Sequence, residues 1–139
     1  MQTNVDHGRL ARARAKFEPV TQMLNHLAKH IEQDHGGSAV LKQRCPMEPT
    51  AQNAYAVRYS LRHPDDTRLA LTFIVTGEEA DLLLLQAQER SGPQDIRAHP
   101  GQIDQRVYRL EKVEEIKQAV QEKIIAHLRT RHARGTQAA

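Results

Sequence analysis

Between residues 53 and 76 apolar side chains fall at every second position, twice over, with a short polar break between. NAYAVRYSLR (53–62) puts Tyr55, Val57, Tyr59 and Leu61 on one side and Arg58, Ser60 and Arg62 on the other. RLALTFIVT (68–76) puts Leu69, Leu71, Phe73 and Val75 on one side. A period of two is the repeat of a half-buried strand, and an amphipathic helix does not produce it. HPDDT (63–67) is turn chemistry, so the two stretches predict an antiparallel hairpin. DLLLLQAQE (81–89) follows across the short connection GEEA (77–80). In isolation it could be a helix; its place after two hairpin-spaced strands favours the third strand of a meander. AVLKQR (39–44), ended by Cys45-Pro46, and QRVYRL (105–110) are shorter candidates, the latter as an edge strand. SGPQDIRAHPGQID (91–104) reads as a Gly/Pro-rich loop of a length uncommon inside compact domains.

The flanks change period. Leu10, Ala13, Phe17, Val20, Leu24, Leu27 and Ile31 alternate spacings of three and four, an amphipathic helical stripe. Pro19 interrupts it, which leaves two readings: one kinked helix over residues 8–35, or a helix that begins near Glu18 after a separate short segment. Gly36-Gly37 supplies the stop. Val113, Ile116, Val120, Ile124 and Leu128 make a second stripe and predict a helix over 111–131, with Glu and Lys on its outer side.

Helix, four to five antiparallel strands, helix is an α+β layout in which both helices pack on one face of the sheet. The chain has 139 residues, enough for a single core without staples. With no Trp, three Tyr and two Phe, that core has to be mostly aliphatic. Residues 1–16 read as a basic arm or the start of the first helix, 17–131 as the domain, and 132–139 as a flexible tail.

The far face of the sheet should carry Ala54, Ala56, Arg58, Ala70, Thr72 and Ile74, and the strand at 81–89 has leucine on both sides. A strand apolar on both faces is covered on both. Two helices do not supply that cover, so a second copy of the chain or an apolar ligand is expected. Leu83, Leu85, Ala54, Ala56 and Ile74 are assigned to this interface or ligand face.

NHLAKHIEQDHGG (25–37) is the nearest approach to a chemical motif. His26 and His30 lie one helical turn apart and could share a metal. Two ligands are half a site, Leu27 stands where a zincin has its glutamate, and His35 falls near the other edge of the stripe. The pair is therefore read as helix-boundary histidines, and no metal or other cofactor is expected. His127 lies within the apolar stripe of the last helix and reads as a hydrogen-bonded core histidine. Cys45 follows a strand, with no helix N-terminus to activate it. Asp65-Asp66 and Glu78-Glu79 sit at solvated turns. No phosphate loop, dinucleotide fingerprint, nucleophile elbow or C-x-x-C is present, and no catalytic residue is assigned.

The net charge of +3 is concentrated at the ends. Arg9, Arg12 and Arg14 at one end, and Arg129, Arg131 and Arg134 at the other, are the candidates for contact with nucleic acid or an acidic partner. The stretch between is mildly acidic. Tyr55 and Tyr59 interleave with arginine, but they share the apolar side and read as core rather than as base-stacking platforms. One cysteine, no apolar leader and no apolar run of membrane-spanning length point to a reducing, cytoplasmic setting without a membrane partner. The functional expectation is a small macromolecular-interaction protein, a homo-oligomer through its sheet face, with a protein or non-specific nucleic-acid partner. A carrier of an apolar small ligand between sheet and helices is the alternative, and a metal-dependent enzyme built on His26 and His30 is third.

Overall fold

The computed structural model describes residues 7–43, 53–90 and 103–138. Helix α1 spans His7–His35, and one 3-10 turn, Gly36–Ser38, leads into strand β1, Val40–Gln43. Strands β2 (Asn53–Arg62), β3 (Arg68–Thr76), β4 (Leu82–Arg90) and β5 (Asp104–Arg109) follow, and helix α2, Val113–Ala138, ends the fold. The strands form one sheet in sequence order, β1-β2-β3-β4-β5, every pairing antiparallel. The architecture is α+β, with both helices on one face of the sheet.

Of the two readings of the first helix, the structure takes the continuous one. Pro19 lies inside α1 on its exposed side, so the carbonyl of Ala15, which loses its helical hydrogen bond there, also faces solvent. Residues 7–16 belong to this helix rather than to a free arm, because Ala13 is fully buried and two basic side chains are tied to the β3–β4 turn. Arg9 donates to the Gly77 carbonyl at 2.6 Å, and Lys16 donates to the Glu79 carbonyl at 2.6 Å. At the other end, α2 continues beyond residue 131 to Ala138.

The inner face of the sheet is the core. Val57, Leu61, Leu71, Phe73, Val75 and Leu83 are essentially without exposure, as are Phe17, Val20 and Leu24 of α1 and Ile116 and Val120 of α2. Each such side chain stabilises the fold by roughly 1.5–3 kcal/mol through burial. Phe17, Phe73, Tyr55 and Tyr59 form its aromatic centre, with Phe17 at 5.9 Å from Phe73 and Tyr59 edge-on to Phe73 at 5.8 Å. Tyr55 and Tyr59 are thus turned to the helices. Burial, with Tyr55 and Glu18 nearby, pushes the Tyr59 hydroxyl up to about 12.

Both helices run the same way along the sheet. Each starts near the β3–β4 turn, where Leu110 donates to the Asp81 carbonyl, and each ends near the β2–β3 turn. That β2–β3 turn is closed by Asp66 N–H to the His63 carbonyl and by the Asp65 carboxylate, which accepts from the backbone and hydroxyl of Thr67.

Register decides which residues face outward. Leu83 lies opposite Val75 and Leu85 opposite Phe73, both core positions. Leu83 (0% exposed) and Leu85 (3%) are therefore core, and their assignment to an outer interface is corrected. Ala54 is corrected with them: the register shifts between Asn53 and Tyr55, and this bulge places Ala54 in the core cluster. Ala56 and Ile74 do lie on the outer face, and Leu82 and Leu84 are the leucines that join them.

Candidate functional site

Among the described residues, no helix or strand lies over the outer face of the sheet. Reading across the strands gives rows of neighbours. Ala56, Ile74, Leu84 and Val107 form an aliphatic row. Beside it run Arg58, Thr72, Gln86 and Gln105, then Lys42, Ser60, Ala70 and Gln88. The last row is Val40, Arg62, Arg68 and Arg90. On the opposite side of the aliphatic row stand Thr76, Leu82 and Arg109. The face is thus graded, from aliphatic near the β3–β4 turn to cationic near the β2–β3 turn.

Its floor is made of small residues. Ala56, Ser60, Ala70 and Thr72 are buried although no described helix or strand lies above them. Arg58 donates to the Thr72 hydroxyl at 3.1 Å and Arg90 to the Gln88 side-chain carbonyl at 3.2 Å. Arg62 reaches Asp66 only at 4.0 Å, with both side chains solvated. Lys42, Arg58, Arg62, Arg68, Arg90 and Arg109 all point from this face, while its described positions include no Asp or Glu. Val107, 54% exposed, is the most open of the aliphatic side chains there.

The second constellation is internal. His63, just beyond β2, and His127 of α2 are each 5% exposed. The alternation of β2 carries on two residues past Leu61 and turns His63 inward, and the stripe of α2 does the same for His127. Their Nε2 atoms are 2.8 Å apart and the ring centres 5.1 Å apart, with 25° between the planes. That centre-to-centre distance is close to the nitrogen contact plus one ring radius at each end. The rings therefore meet tip to tip through a hydrogen bond and are not stacked face to face.

The protons can be placed. The Ser38 carbonyl, 2.8 Å from His63 Nδ1, can only accept, so His63 Nδ1 carries the hydrogen. In neutral His63, Nε2 is then an acceptor, and His127 Nε2 must donate to it. This leaves His127 Nδ1 bare, 3.4 Å from Glu89 Oε1 and without a hydrogen-bond partner. Burial holds the His127 pKa below the usual histidine value, against the pull of Glu89, and His63 and Arg131 also lower it. The pair ties the ends of β1 and β2 to α2. It is too closely joined to hold a metal between the rings, since two nitrogens on one tetrahedral zinc stand about 3.3 Å apart. Sealed from solvent, it offers no surface for a substrate.

The residues singled out from the sequence are dispersed. Arg9 is bound to the β3–β4 turn, whereas Arg131 pairs with Asp65 at 3.0 Å and also donates to Thr67 at the β2–β3 turn. That contact and the Thr67 hydrogen bonds hold the Asp65 carboxyl well below the usual carboxylate range. The two basic ends therefore sit at opposite ends of β3, about 30 Å apart at the rise of a nine-residue strand. They form no common patch. Arg12, Arg14 and Arg129 are exposed on the helices, and the side chain of Arg134 lies outside the described residues. His26 and His30 are exposed on α1, and no group of three or more potential metal ligands occurs among the described residues. Cys45 and residues 91–102 of the loop read at 91–104 also lie outside them, while Asp104 already belongs to β5.

Sequence reasoning missed the cationic row because its three arginines come from three separate strands. Period-two counting put Arg62 and, by alternation, Arg68 on the outward side, but Arg90 fell beyond the strand expected at 81–89, and only the register makes the three neighbours. No helix among the described residues is long and apolar enough to cross a membrane. Compared with protein-family models, curated proteins and solved structures, the chain finds a match in none of the three.

Proposed function

We propose that this chain is a small macromolecular-interaction protein whose contact surface is the outer face of its sheet, and that a second copy occupies the aliphatic part. The observation that carries the reading is the aliphatic row Ala56, Ile74, Leu84 and Val107, with Leu82 beside it, over which no described helix or strand lies. The interior offers less. The space between sheet and helices is filled by side chains such as Phe17, Phe73 and Leu83, and a ligand there would have to displace them.

Charge selects the orientation of the second copy. Stacking the faces with strands in the same sense would set the row of Arg62, Arg68 and Arg90 on its own counterpart. Turning the second copy about the aliphatic row instead places Ile74 and Leu84 against Ile74 and Leu84. Both cationic ends then project beyond the overlap. Three rows across four strands overlap, on the order of 400 Å² per copy, which is small for a specific interface and implies a reversible dimer. Sedimentation velocity over a range from low to high micromolar protein should show a monomer–dimer equilibrium that the Leu84→Glu variant abolishes. A monomer throughout that range would overturn the reading.

A further inference from the structure

We propose that the buried His63–His127 contact is an acid-operated joint. It stays closed while the pair carries no extra proton or one, and a second proton separates the rings and frees α2 beyond Ile124 from the ends of β1 and β2. The joint lies within one copy of the chain and does not rest on the reading of the outer face.

The limit comes from the places available for protons. His63 Nδ1 holds the hydrogen given to the Ser38 carbonyl, and the two Nε2 atoms, 2.8 Å apart, share one hydrogen. Two hydrogens in that gap would stand less than about 1 Å from each other, well inside contact distance. The ring nitrogen left for a proton is His127 Nδ1, buried and without a hydrogen-bond partner, with Glu89 Oε1 3.4 Å away. A first proton lands there. His127 becomes an imidazolium that keeps its Nε2–H on His63 and turns a new N–H to the carboxylate, so the contact survives. The basic nitrogen then remaining is His63 Nε2, the acceptor of the shared hydrogen bond. Protonating it removes that bond and leaves two cations with ring centres 5.1 Å apart.

The surroundings answer one added charge. Glu89 approaches from β4, and Arg131, one helical turn beyond His127 on α2, is a cation paired with Asp65 of the β2–β3 turn. Ser38 offers an uncharged carbonyl, and β3 places Leu69 between Leu61 and Glu89 on the inner face. Of these groups Glu89 is the carboxylate that faces a ring, so one imidazolium is compensated and a second is buried without a counter-charge. Burial already makes His127 slow to accept the first proton.

What is freed follows from where α2 is anchored. Ile116, Val120 and Ile124 hold its first half in the core. Beyond Ile124, His127 is the one buried side chain of α2 among the described residues. Leu128 is partly buried there, and the Arg131–Asp65 pair, half in solvent, holds weakly.

Hydrogen–deuterium exchange resolved to peptides, corrected for the intrinsic pH dependence of exchange, reads the joint. Between about pH 6 and about pH 5, protection of α2 beyond Ile124 should fall by about tenfold, the limit for uptake of one proton, while residues 113–124 change less than about twofold. His63→Gln keeps a donor for Ser38 and an acceptor for His127 but takes no proton, so its protection at the same residues should stay within about twofold over that interval. Nitrogen-15 spectra of the parent above about pH 7.5 should show hydrogen on Nδ1 of His63 and on Nε2 of His127, and on acidification His127 should titrate before His63. Should His63→Gln fail to fold, these spectra and the parent's exchange carry the test. Unchanged protection at the end of α2, equal loss along the whole helix, the same acid loss in His63→Gln, or His63 titrating first would overturn the joint.

Discussion

Leu83 and Leu84 are adjacent in sequence and opposite in environment, so truncating each in turn tests the orientation of the whole sheet. Leu83 is fully buried between Val75 and Tyr108 on neighbouring strands, with the helices above it. Leu83→Ala removes buried carbons worth roughly 2 kcal/mol in transfer and leaves a cavity the packed core only partly fills, so a loss of about 3 kcal/mol is expected. Leu84 is half-buried between Ile74 and Val107 on the outer face. Leu84→Ala should cost under about 1 kcal/mol in dilute solution, as for a surface position. Urea denaturation followed by circular dichroism, below the concentration at which the protein self-associates, measures both. Repeating it at high concentration should enlarge the Leu84→Ala deficit, because a partner that binds only folded protein adds stability by mass action. Equal losses at low concentration, or a larger loss for Leu84→Ala, would mean that the outer face is covered within the monomer or that the register is displaced by one residue.

Three further outcomes follow from other sites. Burial depresses the His127 pKa, so the unfolded chain binds a proton more readily than the fold does; stability should hold above the ordinary histidine value near 6.5 and decline as pH falls below it, and His127→Leu should flatten this part of a pH–stability curve. Tyr59 has the opposite sign: its stabilising effect holds below the ordinary tyrosine value near 10 and is lost as pH rises through about 12, so an alkaline spectrophotometric titration should show late phenolate absorbance that moves to ordinary pH in denaturant. Gly77 has φ +95°, and a Cβ there would stand 3.1 Å from Asp81 Oδ1, so Gly77→Ala should cost about 1–3 kcal/mol in thermal or chemical denaturation.

The parts legible in the sequence are those that a period fixes. Two-residue alternation located β2 and β3, and the three–four spacing located the buried side of both helices. Strand β4 was legible as a strand but not as to its faces, because leucine occupies both. A one-residue slip exchanges the faces of a strand. Here the choice is made by the loop between the paired residues Thr76 and Leu82, which brings Leu83 opposite Val75. Ala54 was misplaced for a related reason, since a bulge breaks the alternation without a mark in composition. The His63–His127 contact joins residues 64 apart in sequence, and no local pattern pairs them. The arginine row was half legible: Arg62 and Arg68 could be seen to face outward, but Arg90 joins them only through the register of β4.

The order of the elements has a consequence for the chain as it is synthesised. Every strand pairs with its neighbour in sequence, so the sheet can assemble in step with synthesis. The helical layer cannot, because α1 is made first and α2 last, with the whole sheet between them. Until α2 leaves the ribosome, α1 shelters mainly the part of the inner face beside β1 and β2, reaching β3 through Phe17. The side near β4 and β5, with Leu83, Leu85 and Leu110, waits bare. The nascent chain therefore passes through an interval in which a nearly complete sheet presents apolar surface to water, the condition in which partly made domains aggregate or engage chaperones. Docking of α2 ends that interval, and the His63–His127 hydrogen bond is among the last contacts to close.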